Sequence, residues 1–79
     1  MHRVTNVVAK PGYVLALTFN DGTQGEVSIA DRLFGPMFLP LKDPAYFRQV
    51  RVDAHGVVCW PNEADLAPDT LYRKVKGTQ

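Results

Sequence analysis

Three short turn signals divide this chain, and their spacing restricts it to antiparallel β-structure. They are Pro11-Gly12, Asn20-Asp21-Gly22 and Asp53-Ala54-His55-Gly56. Proline fixes φ and glycine takes positive φ at no steric cost, so such pairs reverse the chain. Between the first two lies Tyr13–Phe19, a strictly alternating run. Tyr13, Leu15, Leu17 and Phe19 share one face, and Val14, Ala16 and Thr18 the other. Period-2 alternation bounded by turns reads as a half-buried strand. Val4–Lys10 precedes it, with Val4, Asn6 and Val8 expected on one face and Thr5, Val7 and Ala9 on the other. Thr23–Val27 follows, with Gln24, Glu26 and Ser28 toward water and Val27 and Ile29 inward. Three strands joined by tight turns make a meander.

After Ser28 the period changes. Ser28 with Asp31 three residues on suits the start of a short helix, which would bury Ile29, Leu33 and Phe34 and stop at Gly35-Pro36. Met37-Phe38-Leu39-Pro40-Leu41 reads as an apolar connection laid across the sheet, because Pro40 bars it from a ladder. Asp43-Pro44 is a well-formed helix start. Val50–Val52 and Val57–Trp60 then form a second hairpin around Asp53–Gly56.

The stretch Val57–Tyr72 organises the rest. It carries the single Trp and the single Cys of the chain. It begins as an apolar strand, stops at Pro61, turns a polar corner at Asn62–Asp65, and restarts as a helix at Pro68. Trp60, at the strand end, can cover an apolar face and keep its N–H near an acceptor. The expected architecture is α+β: a small antiparallel sheet of about five strands, a three-stranded meander plus a second hairpin, with short helices packed on one side. With 79 residues there is room for one domain, ordered from about residue 3 to 75, with Lys76–Gln79 expected to fray.

A domain this small buries only about 60–65% of the surface its unfolded chain exposes. The core is thin, and a homodimer is one way to extend it. Net charge is +1, which gives no global electrostatic case for nucleic acid. The charges are nonetheless segregated. Asp53, Glu63, Asp65 and Asp69 come without a cation between them, and Arg73, Lys74 and Lys76 come without an acid. The helix macrodipole accounts for part of this. One cysteine makes no intrachain disulfide or Cys-based metal site and suits the reducing cytoplasm. No signal peptide or apolar run of membrane-spanning length is visible.

No catalytic residue, metal site or cofactor is assigned. His55 with Cys59 lacks an orienting third group. Asp53, Asp65 and Asp69 each have a local backbone role to play in a turn or at a helix start. The residues left for binding are Met37 and Phe38 in the apolar connection Met37–Leu41, which is either core cover or a partner-facing patch, and Trp60, Asn62, Glu63 and Asp65 at the corner. Arg73, Lys74 and Lys76 form a weak nucleic-acid candidate, since about three phosphate contacts give poor, salt-sensitive affinity. DNA would be bound weakly or within a complex.

Several segments together resemble a known family. They are Pro11-Gly12-Tyr13; Phe-Asn-Asp-Gly-Thr at 19–23; Asp-Pro-Ala-Tyr-Phe at 43–47; Val-Arg-Val-Asp at 50–53; Val-Cys-Trp-Pro-Asn-Glu-Ala-Asp-Leu at 58–66; and Pro-Asp-Thr-Leu-Tyr at 68–72. The pattern is similar to the bacterial family known as domain of unknown function 2442, over roughly Arg3 to Tyr72. The resemblance implies a small α+β domain with an antiparallel sheet and no established catalytic residues. Relatives stand alone, carry a helix-turn-helix extension, or lie beside another small protein in arrangements suggestive of toxin–antitoxin pairs. Too few residues follow Tyr72 here for such an extension. Ala67 stands where the family often has Asp, so the last helix lacks its N-cap acceptor. Two functional readings follow. One is a non-catalytic interaction module, an antitoxin-like or regulatory partner of another small bacterial protein. The alternative is a small metal-dependent hydrolase using the acidic corner Glu63, Asp65 and Asp69.

Overall fold

A computed structural model describes residues 2–77. Strands β1 (Val4–Lys10), β2 (Val14–Phe19) and β3 (Gln24–Ser28) form the expected antiparallel meander in the order β1-β2-β3. Opposite pairs Leu15↔Val27, Ala9↔Leu15 and Val7↔Leu17 line the inner face. One expectation for β1 is corrected. The register shifts between Val4 and Asn6. This bulge turns Val4 onto the same face as Val7 and Ala9, where it is buried, and leaves Asn6 and Val8 outside. Inserting one residue reverses the alternation on one side of the bulge.

The second hairpin is larger than the sequence suggests. β4 (Arg51–Val52) pairs with β5 (Val58–Cys59), and β5 pairs in turn with β6 (Asp65–Leu66). The polar corner is therefore itself a hairpin turn. The protein has two three-stranded sheets where one of about five strands was expected. They meet where Val4 N–H donates to the Gly56 carbonyl at 2.9 Å. Gly56 has φ 79°, and a Cβ there would lie 2.6 Å from the Arg3 Cβ, so both the turn and the close approach require glycine.

Helical turns fill the chain between the sheets. Ala30–Arg32 makes one 3-10 turn, with Ile29 and Leu33 buried as expected. Phe34 is not buried; it is 70% exposed. Its extended backbone and the left-handed Gly35 (φ 82°) carry the side chain away from the preceding turn. Gly35-Pro36 also starts a helix where the sequence suggested a stop. α1 (Gly35–Phe38) runs straight into a 3-10 turn over Leu39–Lys42, so the Met37–Leu41 connection is helical, not extended. Proline suits the first positions of both turns, where its missing N–H costs nothing. α2 (Pro44–Phe47) starts as expected, with the Asp43 carboxylate accepting from Ala45 N–H at 3.0 Å.

α3 (Pro68–Lys76) has no side-chain cap at Ala67 and ends at Gly77 in the left-handed region. Of the tail expected to fray, Thr78 and Gln79 lie outside the described residues. Val75 packs where Gly25 has no side chain; a Cβ there would sit 2.5 Å from Val75 Cγ1. Tyr72 fastens the helix more firmly. Its hydroxyl donates to Asp21 Oδ2 at 2.6 Å, its ring meets Phe19 edge-on at 5.0 Å, and the His2 ring stacks on it at 3.6 Å.

The two sheets, the helical turns and α3 share one core. It runs from Leu15, Leu17 and Phe19 through Leu33, Leu41 and Phe47 to Val58, Trp60, Leu66 and Leu71. Trp60 is 1% exposed. Its indole N–H donates to the Phe47 carbonyl at 3.0 Å, which satisfies the one polar atom that such a plug brings inside.

The Tyr72 hydrogen bond, with help from Thr23, lowers the Asp21 carboxyl from 3.8 to about 2. A depressed carboxyl contributes stability that is complete above its unfolded value and lost as pH falls through its folded one. Tyr72→Phe should therefore be less stable than wild type near pH 5, and the gap should close as pH falls through about 4 to about 2. Denaturant unfolding of both proteins across that range checks it; a gap independent of pH would contradict the Tyr72–Asp21 account.

Candidate functional site

Three five-residue loops in this protein share one geometry. In Phe19–Thr23, Asp53–Val57 and Trp60–Ala64 the first residue's N–H donates to the fifth's carbonyl, at 2.8, 3.0 and 3.0 Å. In each, the fourth residue's N–H returns to the first's carbonyl, at 3.0, 3.1 and 3.0 Å. An Asx side chain ties each loop. Asp21 Oδ1 accepts from Thr23 N–H, Asp53 Oδ1 from His55 and Val57 N–H, and Asn62 Oδ1 from Ala64 N–H. The donors from Val57 and His55 hold the Asp53 carboxyl below its ordinary value. Asp53 thus serves the turn, as the sequence implied. Asp65 does not: Asn62 ties its loop, and Asp65 lies exposed on β6.

The fourth position of each loop has positive φ. It is Gly22 at 87° and Gly56 at 79°, but Glu63 at 72° in the third. A left-handed residue with a Cβ is strained by about 1–2 kcal/mol. Glu63 bears that strain with its carboxylate exposed.

This third loop is fixed to the apolar segment. Asn62 Nδ2 donates to the Met37 carbonyl at 2.8 Å. Met37 is 42% exposed, and its neighbours Phe34 and Leu39 are 70% and 51% exposed. Phe38 is half-buried, its ring 6.5 Å from that of Trp60 at 77°. Of the sequence-predicted binding residues, the structure brings Met37, Phe38, Asn62 and Glu63 into one neighbourhood, with Asp65 two residues further along. Trp60 lies beneath them and offers no surface. Leu39 falls within the Met37–Leu41 stretch that the sequence offers as either core cover or a partner-facing patch, whereas Phe34 is the exposed residue that the sequence does not single out. Helical periodicity places Phe34 in the core, and only the left-handed Gly35 turns it outward.

Arg73, Lys74 and Lys76 are all exposed on α3, with the Lys76 ammonium 5.8 Å above the Tyr72 ring. The acidic corner does not converge. Asp69 accepts a weak 3.4 Å bond from the His2 backbone. Among the described residues no three His, Cys, Asp or Glu side chains are placed to hold a metal ion. His55 lies in its turn, and Cys59 is a half-buried free thiol on β5.

The fold defines a small α+β domain of two antiparallel sheets with tied hairpin loops. The chain belongs to the family described as protein of unknown function (DUF2442), whose model matches residues 4–77. The crystal structure of a candidate DNA-binding protein from Nitrosomonas europaea is similar to it, with TM-score 0.82 and 30% identity. The match covers 98% of this chain and 50% of that one, so this chain spans half the length of that protein. None of the curated proteins matches. No helix among the described residues is long and apolar enough to cross a membrane.

Glu63→Gly should relieve the left-handed strain. Part of the gain is offset by the greater freedom of glycine in the unfolded chain, leaving about 0.5–1 kcal/mol of stabilisation, or a rise of a few degrees in Tm for a domain of this size. Thermal unfolding measures it, and a variant less stable than wild type would contradict the shared loop geometry.

Proposed function

We propose that this chain is a non-catalytic module that binds another protein, an antitoxin-like or regulatory partner to it. The docking surface is the apolar segment 34–39 with the adjoining loop 61–65. The observation that carries this reading is the distribution of exposed apolar side chains. Of the four large ones that are exposed among the described residues, Phe34, Met37 and Leu39 fall within six residues, and the fourth is Val8. Clusters of this kind mark interaction sites, whereas single exposed residues do not. The Asn62–Met37 hydrogen bond preorganises the surface, which lowers the entropy lost on docking. Glu63 adds support, because strain retained where both sister loops use glycine points to a role for the side chain. With Asp65 it gives the surface an acidic rim, suited to a partner that surrounds an apolar anchor with basic residues. The free thiol of Cys59 fits a reducing compartment such as the cytoplasm.

A second reading, contact with DNA, is favoured by the description of the Nitrosomonas europaea protein and by the three cations of α3. Three phosphate contacts are too few for tight binding by an isolated chain near 0.15 M salt. DNA contact would then come through a complex.

The test compares wild type, Phe34→Asp/Met37→Asp and Arg73→Gln/Lys74→Gln/Lys76→Gln in pull-downs from the native cells and in DNA anisotropy near 0.15 M salt. The proposal expects a partner retained by wild type and the α3 variant and lost from the segment variant. Tight DNA binding by the isolated wild-type chain, abolished in the α3 variant, would overturn it. So would hydrolytic turnover that disappears in Asp65→Asn.

A further inference from the structure

A groove shares none of its lining with that docking surface. It lies where the β1–β2 turn faces α2, and its volume is about 310 Å³. Pro11 and Tyr13 wall it from the turn, Pro44 and Phe47 from α2, and Lys10 and Arg48 stand at its rim.

Its construction is unusual for a hairpin turn. Tyr13 has φ 61°, directly after Gly12 at 81°. A bulky residue in the left-handed region is a departure that a simple turn avoids by using glycine or asparagine. Here the conformation swings the phenol toward α2. Its hydroxyl donates to the Lys42 carbonyl, and its ring meets Phe47 edge-on at 5.4 Å, 80° apart. Strained backbone of this kind clusters at ligand clamps. The turn therefore builds a wall that alternation alone would not have placed there.

The lining determines what can enter. Two proline rings and the Tyr13 ring offer flat apolar surfaces, with the buried Phe47 ring at the base, and favour a flat apolar body. Among the described residues no acid lines the groove, and both charged residues are cations. Lys10 is already paired with Glu26 at 3.1 Å. Arg48 has no carboxylate partner among the described residues. A guanidinium presents a planar fork matched to a carboxylate. The volume lies at the bottom of the range for ligand pockets, roughly 300–1,000 Å³. That holds one aromatic ring with a short side chain, not a length of peptide.

The geometry points to a binding site for a small aromatic monocarboxylate, its ring between Pro11, Tyr13, Pro44 and Phe47 and its carboxylate on Arg48. This site extends the reading above without depending on it, since it occupies different residues and takes a different class of ligand.

The probe is phenylacetate, titrated into the ¹⁵N-labelled full chain and followed by amide chemical shifts. The expected result is saturable shifts at residues 9–13 and 44–48. Phenylacetamide, which has the same shape without the charge, and the variant Arg48→Gln should each weaken binding by about tenfold or more, as loss of a charge-assisted hydrogen bond does. Acetate, which has the charge without the ring, should leave these amides unmoved. The site is wrong if millimolar phenylacetate moves nothing there, or if the neutral amide binds as well. Equal shifts with acetate would reduce it to an unselective anion site and overturn the ligand class. A short peptide ending in phenylalanine that binds more tightly than phenylacetate would overturn the assignment to a small molecule. The partner pull-down of the preceding section is unaffected by any of these outcomes.

Discussion

The hydrogen bond from the Trp60 indole to the Phe47 carbonyl, made inside a ring of aromatic side chains, is the contact on which the rest of this protein depends. Phe47 is 6.0 Å from the indole and Phe38 6.5 Å, and Tyr13 in turn meets Phe47. Trp60 opens the β5–β6 loop of the second sheet, Phe38 and Phe47 belong to the helical connection, and Tyr13 to the turn of the meander. Through its hydrogen bond and these ring contacts, one side chain links the second hairpin, the helical connection and the turn of the meander. Among the described residues the buried side chains form one cluster, and no second core compensates for it. A buried aromatic of this size removes about 150–250 Å² from water, and a buried carbonyl that lost its donor would stay unsatisfied at a cost of about 1–3 kcal/mol.

The same contact explains how the two proposed sites coexist. Phe38 covers one side of the indole and carries the exposed segment 34–39. Phe47 covers another and carries the wall of the groove. Each surface is held in place by a residue packed on Trp60, so both are rigid at their base and exposed only at their rims. Helix α3 is attached differently, through Leu71 in the core and through Tyr72, whose hydroxyl reaches Asp21 in the first hairpin loop. That tie is polar and exposed. The absent cap at Ala67 leaves the helix dependent on it.

Much of the fold was legible in the sequence. The strands β1 to β3, the turns at residues 11–12, 20–22 and 53–56, the Asp43-Pro44 helix start and the burial of Trp60 all follow from periodicity, glycine and proline placement, and capping chemistry. The rest is hidden from the sequence for physical reasons. β6 is two residues long, and its loop carries Glu63 where a glycine would have announced a hairpin. The β1 bulge shifts one residue without any sequence marker, so simple alternation places Val4 with Asn6 and Val8 instead of with Val7 and Ala9. Pro36 and Pro40 read as breakers, yet each sits at the start of a helical turn, where proline is tolerated. Phe34 follows helical spacing to the core, but one left-handed glycine turns it to water. The corner residues Asn62 and Glu63 and the segment Met37–Phe38 could be chosen from the sequence. Their union by a side-chain to backbone hydrogen bond could not, nor could the groove. Both depend on contacts between residues far apart in the chain.

The account turns on a single claim, that the second sheet, the helical connection and the meander fold as one unit around the indole. Native-state hydrogen exchange of the Trp60 Nε1–H reads this directly, because that hydrogen is released only when the Phe47 carbonyl and the aromatic ring around it separate. The account predicts exchange as slow as the most protected amides of β2, with the same dependence on denaturant, so that the indole opens only on global unfolding. Exchange orders of magnitude faster than those amides, and insensitive to denaturant, would show that the second sheet opens by itself and would contradict the central role given to Trp60.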